Sequence, residues 1–339
     1  MLRVFSRAGD RMAQTAGLAP EESGGAIVWV DLVSPTPAED EEVEKFLGIA
    51  IPTRDEMEEI EFSSRLYLED NAKFMTVTLL HPLDSEDVQK TPVTFILKGS
   101  VLVTVRYAEP KPFVAFLFRA QRNHAVGCET GEGVMLGLIE AVVDRLADAL
   151  ERISTEVDGV SHQVFRNRAK RANKKTNDLE SVISQIGIKS DLVTLIQESL
   201  VSITRLAAYH SAAGMPERKV AAAGALDRKA GKDANRQRTK LIERDTASLR
   251  EHATFLSSKL TVLLDATLGL ISVEQNKIIK IFSVAAVVFL PPTLIASIYG
   301  MNFHLIPELS WELGYPFAVG LMVLSAILPY LYFKTKGWL

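Results

Sequence analysis

The clearest hydrophobic pattern lies at the end of the chain. Residues 281–299 and 315–333 are two uncharged apolar runs of 19 residues each. As helices they would be about 28 Å long, enough to span the hydrocarbon core of a bilayer. Buried helices of a soluble protein can share this composition, but two such runs in succession favour a membrane hairpin. Further upstream the pattern changes. Residues 26–33 (AIVWVDLV), 73–80 (KFMTVTLL), 92–98 (PVTFILK) and 100–107 (SVLVTVRY) are β-rich and predict strands. The last two meet at Gly99, as a hairpin would. Between the first two, segments 37–47 and 53–60 are acidic and carry Pro or Thr near their starts, which predicts helices. Residues 1–20 contain Arg3, Arg7 and Arg11 but no apolar core long enough for a signal peptide, and a frayed end is expected there.

From Gly133 onward the period is helical. Leu136, Ile139, Val143, Leu146, Leu150 and Ile153 recur at three- and four-residue steps, and similar stripes continue through 192–206. Segment 212–233, rich in Gly, Ala and charge, predicts a loop. Residues 234–299 have no proline before Pro291 and Gly269 as their one glycine, which predicts a single helix about 100 Å long. It would run directly from cytosol into membrane. Leu241, Leu249, Leu256, Leu260, Leu263, Leu264 and Leu270 give it a packing stripe for a bundle within or between chains. The expected organisation is an α+β cytosolic domain (1–130), a helical stalk domain (131–280), a first span (281–299), an external loop (300–314), a second span (315–333) and a basic cytosolic tail (334–339).

Composition sharpens this division. A net charge of −4 and a charged content of 24% are ordinary for a soluble protein. The average conceals a segregation, because residues 281–333 contain no Lys, Arg or Asp and only Glu308 and Glu312 as carboxylates. Lys277 and Lys280 precede the first run, Lys334 and Lys336 follow the second, and the connecting loop has no Lys or Arg. The positive-inside rule then places both termini in the cytoplasm, and the expected location is the cell (inner) membrane. Tyr299, Trp311 and Tyr315 would sit at the outer interface, and Tyr330, Tyr332 and Trp338 near the inner one. Pro291-Pro292, in the middle of the first run, implies either a tolerated kink or a helix facing an aqueous path.

Other chemistry is sparse. Cys128 is the only cysteine, which excludes an internal disulfide and fits a reducing compartment. With His124 four residues before it, it is read as a buried thiol beside a surface imidazole. The basic stretch 166–175 (RNRAKRANKK) has no interleaved aromatics and reads as a solvated helix face, not a nucleic-acid site. There is no Gly-x-x-x-x-Gly-Lys-Ser/Thr phosphate loop, zinc-binding His-Glu-x-x-His or glycine-rich cofactor turn. Neither an enzyme nor an organic cofactor is expected.

Between the two runs stands Tyr299-Gly300-Met301-Asn302-Phe303, followed four residues later by Pro307-Glu308-Leu309. In that position the motif resembles the signature of the CorA family of magnesium channels. The resemblance extends to the architecture of the whole chain: a cytosolic α/β domain, long stalk helices and a two-span C-terminus. It implies a funnel-shaped homopentamer whose first membrane helix lines the pore. An oligomer is expected on physical grounds as well, since one lining helix per chain cannot enclose a channel. By resemblance the pore is lined at Asn276, Phe282, Leu290 and Thr293, with Gly300, Met301 and Asn302 as the selectivity filter. Helical steps back from Asn302 place Asn276, Ile279, Phe282, Ser283, Ala286, Leu290, Thr293 and Ser297 on one broad, neutral face. Mg²⁺ holds its waters tightly, so such a face suits the hydrated ion. Glu308, and more weakly Glu312, would attract cations to the outer mouth. Phe282 and Leu290 are candidate hydrophobic constrictions, and Phe282 is bulkier than the Leu that related sequences lead one to expect. Lys277, Lys280, Lys334 and Lys336 would form a basic collar at the inner mouth.

Import would be driven by the membrane potential and regulated by cytosolic Mg²⁺. Two acidic groups, Glu39 to Glu44 and Asp55 to Glu61, read as solubilising surface. The resemblance implies regulatory Mg²⁺ held by carboxylates between neighbouring domains, for which Asp70 and Asp245 are the candidates. Expected partners are therefore further copies of this chain, the bilayer and divalent cations, with no nucleic acid. Two alternatives stand beside Mg²⁺ transport, with Co²⁺ and Ni²⁺ as further candidate ions. One is a Zn²⁺ or other transition-metal transporter of the same fold, which His304 keeps open. The other is a membrane-anchored sensor without a pore.

Overall fold

The computed structural model describes residues 1–9, 11–18, 25–59, 61–85, 87–122, 128–165, 177–212, 225–302 and 311–338. They fall into two compact parts: residues 1–172 with 182–263, and residues 173–181 with 264–339. The fold is an α+β domain followed by long helices and two C-terminal apolar helices.

The first part is built on a seven-stranded sheet. Its strands are β1 (Leu2–Ala8), β2 (Arg11–Thr15), β3 (Ile27–Val33), β4 (Leu66–Glu69), β5 (Ala72–His81), β6 (Gln89–Lys98) and β7 (Val101–Arg106), in the order β2-β1-β3-β7-β6-β5-β4. Only β3 and β7 pair in parallel. The predicted hairpin at Gly99 is β6–β7, and the glycine takes a positive φ of 63°. Both faces of the sheet are covered. On one, Val30, Leu32, Phe74, Ile96, Val103 and Val105 pack with Val43, Ile49, Ile51 and Met57. These last come from helices α1 (Pro37–Leu47) and α2 (Arg54–Glu58) and the loop between them. Both helices open on a Thr capping box, Thr36 with Glu39 and Thr53 with Glu56. A short helix α3 (Phe62–Arg65) leads into β4. On the other face, Trp29 contacts Phe5, Phe113 and Phe116. Phe113 and Phe116 belong to helix α4 (Lys111–Ala120), which packs on α5 (Gly131–Phe165).

The N-terminus is not frayed. It forms β1 and β2, with β1 paired on both sides, to β2 and β3. Val4 joins one face of the core and Phe5 the other, so burial on both sides removes the alternation that would have marked a strand.

The stripe predicted from Leu136 to Ile153 is buried throughout. Helix α5 is joined by α6 (Asn177–Ala212) and α7 (Ala225–Tyr299). Polar ties cross between them: Arg238 grips Glu140 with two 2.8 Å hydrogen bonds, and Lys259 meets Asp158 at 2.5 Å. Glu132 accepts from Asn235 Nδ2 at 3.0 Å and lies 2.9 Å from His210 Nε2, so one carboxylate ties all three helices. Chiefly because of the His210 contact, its pKa is lowered despite burial. Helix α7 begins at Ala225, ahead of the expected residue 234, because 225–233 (ALDRKAGKD) consists mainly of good helix formers. Its 75 residues correspond to about 110 Å. Of the leucine stripe, Leu256, Leu260 and Leu263 are buried while Leu241 is exposed. Cys128 is a buried free thiol whose pKa is raised by burial. His124, the basic stretch 166–175 and residues 213–224 lie outside the described residues.

Candidate ion-conducting site

The second compact part contains the apolar end of α7 and helix α8 (Gly314–Thr335). Both are long and apolar enough to cross a membrane, and only 6% of the most hydropathic stretch of each is buried in the single chain. Phe282 is 71% exposed and Leu290 66%. Such a continuous apolar surface is covered by lipid or by further protein.

Where the two helices are shielded decides which side of α7 is free. In residues 281–299 the buried or half-buried positions are Val284, Ala285, Val288, Pro291, Pro292, Ile295 and Tyr299. At about 100° per residue they occupy one arc of roughly 120°. Asn276, Ile279, Phe282, Ser283, Ala286, Leu290, Thr293 and Ser297 occupy an arc of similar width on the opposite side, and all eight are exposed. On α8, Gly314, Ala318, Met322, Ser325, Pro329 and Phe333 form a corresponding shielded stripe. The proline rings thus sit on the shielded side, and the helix continues through them. They leave the Val287 and Val288 carbonyls without helical donors. Thr293 Oγ1 donates to the Phe289 carbonyl at 2.7 Å, and the exposed hydroxyl oxygen keeps its acceptor capacity.

At the far end of α7 the chain turns back on its own last turn. The Gly300 N–H donates to the Ala296 carbonyl at 2.9 Å and the Met301 N–H to the Ile298 carbonyl at 3.2 Å. These amides therefore point into the helix, and the outward groups of the turn are carbonyl oxygens. A helix C-terminus carries a partial negative charge that favours cations. A Cβ on Gly300 would lie 3.1 Å from the Ala296 carbonyl oxygen, so the close turn suits glycine. Met301 and Asn302 are exposed beside it. Together these residues present neutral oxygen at the end of a neutral face. Glu308 and His304 lie outside the described residues, and Glu312 is exposed just before α8.

The lysines occupy the opposite end. Lys280 Nζ stands 5.7 Å from the Trp338 ring centroid, so α8 returns the chain to the level at which the first apolar run begins. By helical phase, Lys277 falls within the shielded arc of α7 and Lys280 between the two arcs, so both lie outside the exposed arc of Asn276 to Ser297. The sequence identified these lysines, but only the shielding by α8 distinguishes the two sides.

The candidate regulatory carboxylates are exposed and serve different local structures. Asp70 (φ 46°) and Asn71 (φ 60°) form the two-residue turn between β4 and β5. Asp245, on α7, adds to the negative field at Asp144, whose pKa is raised mainly by burial. No group of three or more His, Cys, Asp or Glu suited to a metal occurs among the described residues of one chain.

The comparisons agree with this architecture. Residues 24–335 match the model of the CorA-like Mg²⁺ transporter protein family. The chain is 33% identical over 341 residues to the magnesium transport protein CorA of Yersinia pseudotuberculosis, covering 100% of both chains. It is 33% identical over 342 residues to the protein of that name from Escherichia coli K12, again covering 100% of both. Among solved structures, the complete CorA magnesium transporter of Methanocaldococcus jannaschii superposes with a TM-score of 0.76 at 16% identity, covering 100% of this chain and 99% of the other. The full-length CmaX protein gives 0.66 at 13% identity, with 100% and 98% covered. The family is one of transporters, not enzymes, and the two apolar helices are membrane-embedded. On the match to its family model and its full-length relatives, this chain belongs to the CorA-like Mg²⁺ transporter family.

Proposed function

We propose that the chain is one subunit of a passive channel that imports hydrated Mg²⁺ down its electrochemical gradient. The observation that carries this reading is the exposed arc of α7 from Asn276 to Ser297. It lies opposite the shielded arc and ends at the carbonyl-rich Gly300–Asn302 turn. Several copies, five by resemblance to the family, would bring these arcs together around an axis. Both termini would be cytoplasmic, with the hairpin in the inner membrane.

Each residue then has a role. Gly300 carbonyls and Asn302 side-chain oxygens accept hydrogen bonds from the waters around Mg²⁺, so the ion need not shed them. The Met301 backbone completes the filter turn. Asn276 and Thr293 supply polar rings along the path, while Phe282 and Leu290 supply apolar rings that stop conduction by dewetting. Glu308 concentrates cations at the outer mouth. Moving two charges through 100 mV releases about 4.6 kcal/mol, sufficient to drive accumulation without ATP. Asp70 and Asp245, both exposed, are proposed to hold regulatory Mg²⁺ between neighbouring copies, and loss of that ion would loosen the ring.

The test is Mg²⁺ uptake into liposomes containing the purified protein, with internal Mg²⁺ titrated. Asn302→Ala should abolish flux while preserving assembly by size-exclusion chromatography. Unchanged flux would remove the filter from the proposal. Competition by Co²⁺, Ni²⁺ and Zn²⁺ in the same assay ranks the ions.

A further inference from the structure

We infer that Lys277, Lys280, Lys334, Lys336 and Trp338 form a binding site for the phosphate headgroup of an anionic phospholipid. The inference rests on the reading that the hairpin spans a bilayer.

Helical phase is the first observation. At about 100° per residue, Lys277 lies roughly 20° from the centre of the shielded arc of α7 and Lys280 roughly 80°. From the centre of the proposed pore face they are about 160° and 100° away. Lys277 thus leaves α7 on the side away from the proposed pore face, and Lys280 leaves it between the two arcs, reaching the end of α8. The Lys280–Trp338 contact at 5.7 Å is direct evidence of that orientation.

The second observation is the shape of the tail. After α8 the chain folds back over its last turn, with Lys336 N–H donating to Tyr332, Gly337 to Lys334 and Trp338 to Phe333. Gly337 takes a positive φ of 68°, as the residue closing such a cap requires. This cap folds the indole back onto Phe333, with ring centroids 5.3 Å apart, and toward Lys280 at the start of the first run, and it keeps Lys334 and Lys336 in the same turn of chain.

The third is charge. None of the four lysines has a carboxylate partner among the described residues, and all are exposed. Of the described carboxylates nearest in sequence, Glu312 lies just before α8 at the other end of the hairpin, and Glu274, one turn before Lys277, is half-buried and makes no ion pair with these lysines. Four ammonium groups without a carboxylate partner among the described residues, at a membrane boundary, call for an anion, and phosphate suits flexible lysine donors. Adjacent Tyr330, Leu331 and Tyr332 are exposed. A lipid brings acyl chains that cover this apolar surface, which free phosphate does not. The headgroup would join the two helix ends where the cation–π contact already brings them together.

Full-length protein in a nonionic detergent provides the test. Phosphatidylglycerol should raise the melting temperature, whereas phosphatidylcholine, inorganic phosphate and glycerol phosphate should not. Replacing all four lysines by Gln should weaken phosphatidylglycerol binding at least tenfold, and replacing them by Arg should retain it. Equal binding by the Gln variant, or an equal response to phosphatidylcholine or free phosphate, would overturn the proposal. A second readout does not need the variant to fold. Brominated phosphatidylglycerol should quench Trp338 of the native chain more than brominated phosphatidylcholine does, with Trp338→Phe as the blank, and equal quenching counts against the site. Mg²⁺ flux separates the two readings. Flux with no headgroup preference removes the lipid site and leaves the channel, whereas headgroup preference without flux does the reverse.

Discussion

Asp31 and Arg106 show how much of the cytosolic domain depends on individual buried contacts. Arg106 donates from Nε and Nη2 to the two Asp31 oxygens at 3.0 and 2.8 Å, and the side chains are 1% and 2% exposed. Thr104 Oγ1 donates to the same carboxylate and accepts from Trp29 Nε1, both at 2.8 Å. The guanidinium also lies 4.8 Å from the Phe113 ring centroid. Arg106→Ala would leave a buried carboxylate without its cation, at a cost of about 3–5 kcal/mol. Unfolding followed by Trp29 fluorescence checks this, and Arg106→Lys should rescue little because it lacks the two-pronged donor. A second carboxylate makes a pH prediction. Hydrogen bonding from Lys111, then the charge of Arg145 and a hydrogen bond from Arg152, lowers the Asp84 pKa from 3.8 to about 2 against the effect of burial. Because the folded value is the lower one, this stabilisation is complete above the unfolded value and is lost as pH falls toward about 2. The stability difference between wild type and Asp84→Asn should therefore be full at pH 5 and shrink toward pH 2; a constant difference would exclude the linkage. It should be modest, since the site is partly exposed and screened. Neither cluster is legible in the sequence. Asp31 appears there as a lone charge in AIVWVDLV, and its partner is 75 residues away across the β3–β7 pairing. Gly300-Met301-Asn302 is legible because it is contiguous and lies between two unmistakable apolar runs.

At the scale of elements, contact between α5 and the sheet depends on the absence of a side chain. A Cβ on Gly131 would stand 2.3 Å from the Leu102 nitrogen and 2.6 Å from the Val101 carbonyl carbon. Backbone on β7 cannot move aside as a flexible side chain can. Gly131→Ala should therefore displace the start of α5 and cost about 1–3 kcal/mol. The measurement is a melt of the full-length protein, with Gly159→Ala as the control because a Cβ there meets nothing within 4 Å. Legibility at this scale followed periodicity. The long helices and the strands of residues 26–33, 73–80, 92–98 and 100–107 announced themselves, because each keeps one pattern over many residues. The strands β1, β2 and β4 did not. β1 is buried on both faces, β2 is a five-residue edge strand, and β4 is four residues long, with Leu68 exposed at the other sheet edge. The phase of α7 was readable, but its shielded side was not, because that depends on a helix beginning fifteen residues after it ends.

Conduction belongs to the assembled molecule, and Leu290 offers its sharpest test. In one chain this side chain is 66% exposed, on the arc opposite the shielded stripe. If that arc faces a shared axis, several leucines form an apolar ring that water leaves when the path narrows. Leu290→Asn would keep the branched shape of the side chain but let the ring hold water. A fall of about 1.4 kcal/mol in the barrier gives a tenfold rise in rate, so leak should increase by at least that factor. The rise should appear at internal Mg²⁺ concentrations that close the wild type. Leu328, on α8, is 59% exposed and supplies the control. If it faces lipid, Leu328→Asn places the same polar group in an equally apolar stretch without changing the path. Both variants share the cost of inserting an amide into the membrane, so that cost cancels in the comparison. The difference in flux in liposomes of one composition therefore reports only which helix lines the path. Equal leak from the two variants would mean that the exposed arc of α7 is lipid-facing and that ions cross elsewhere.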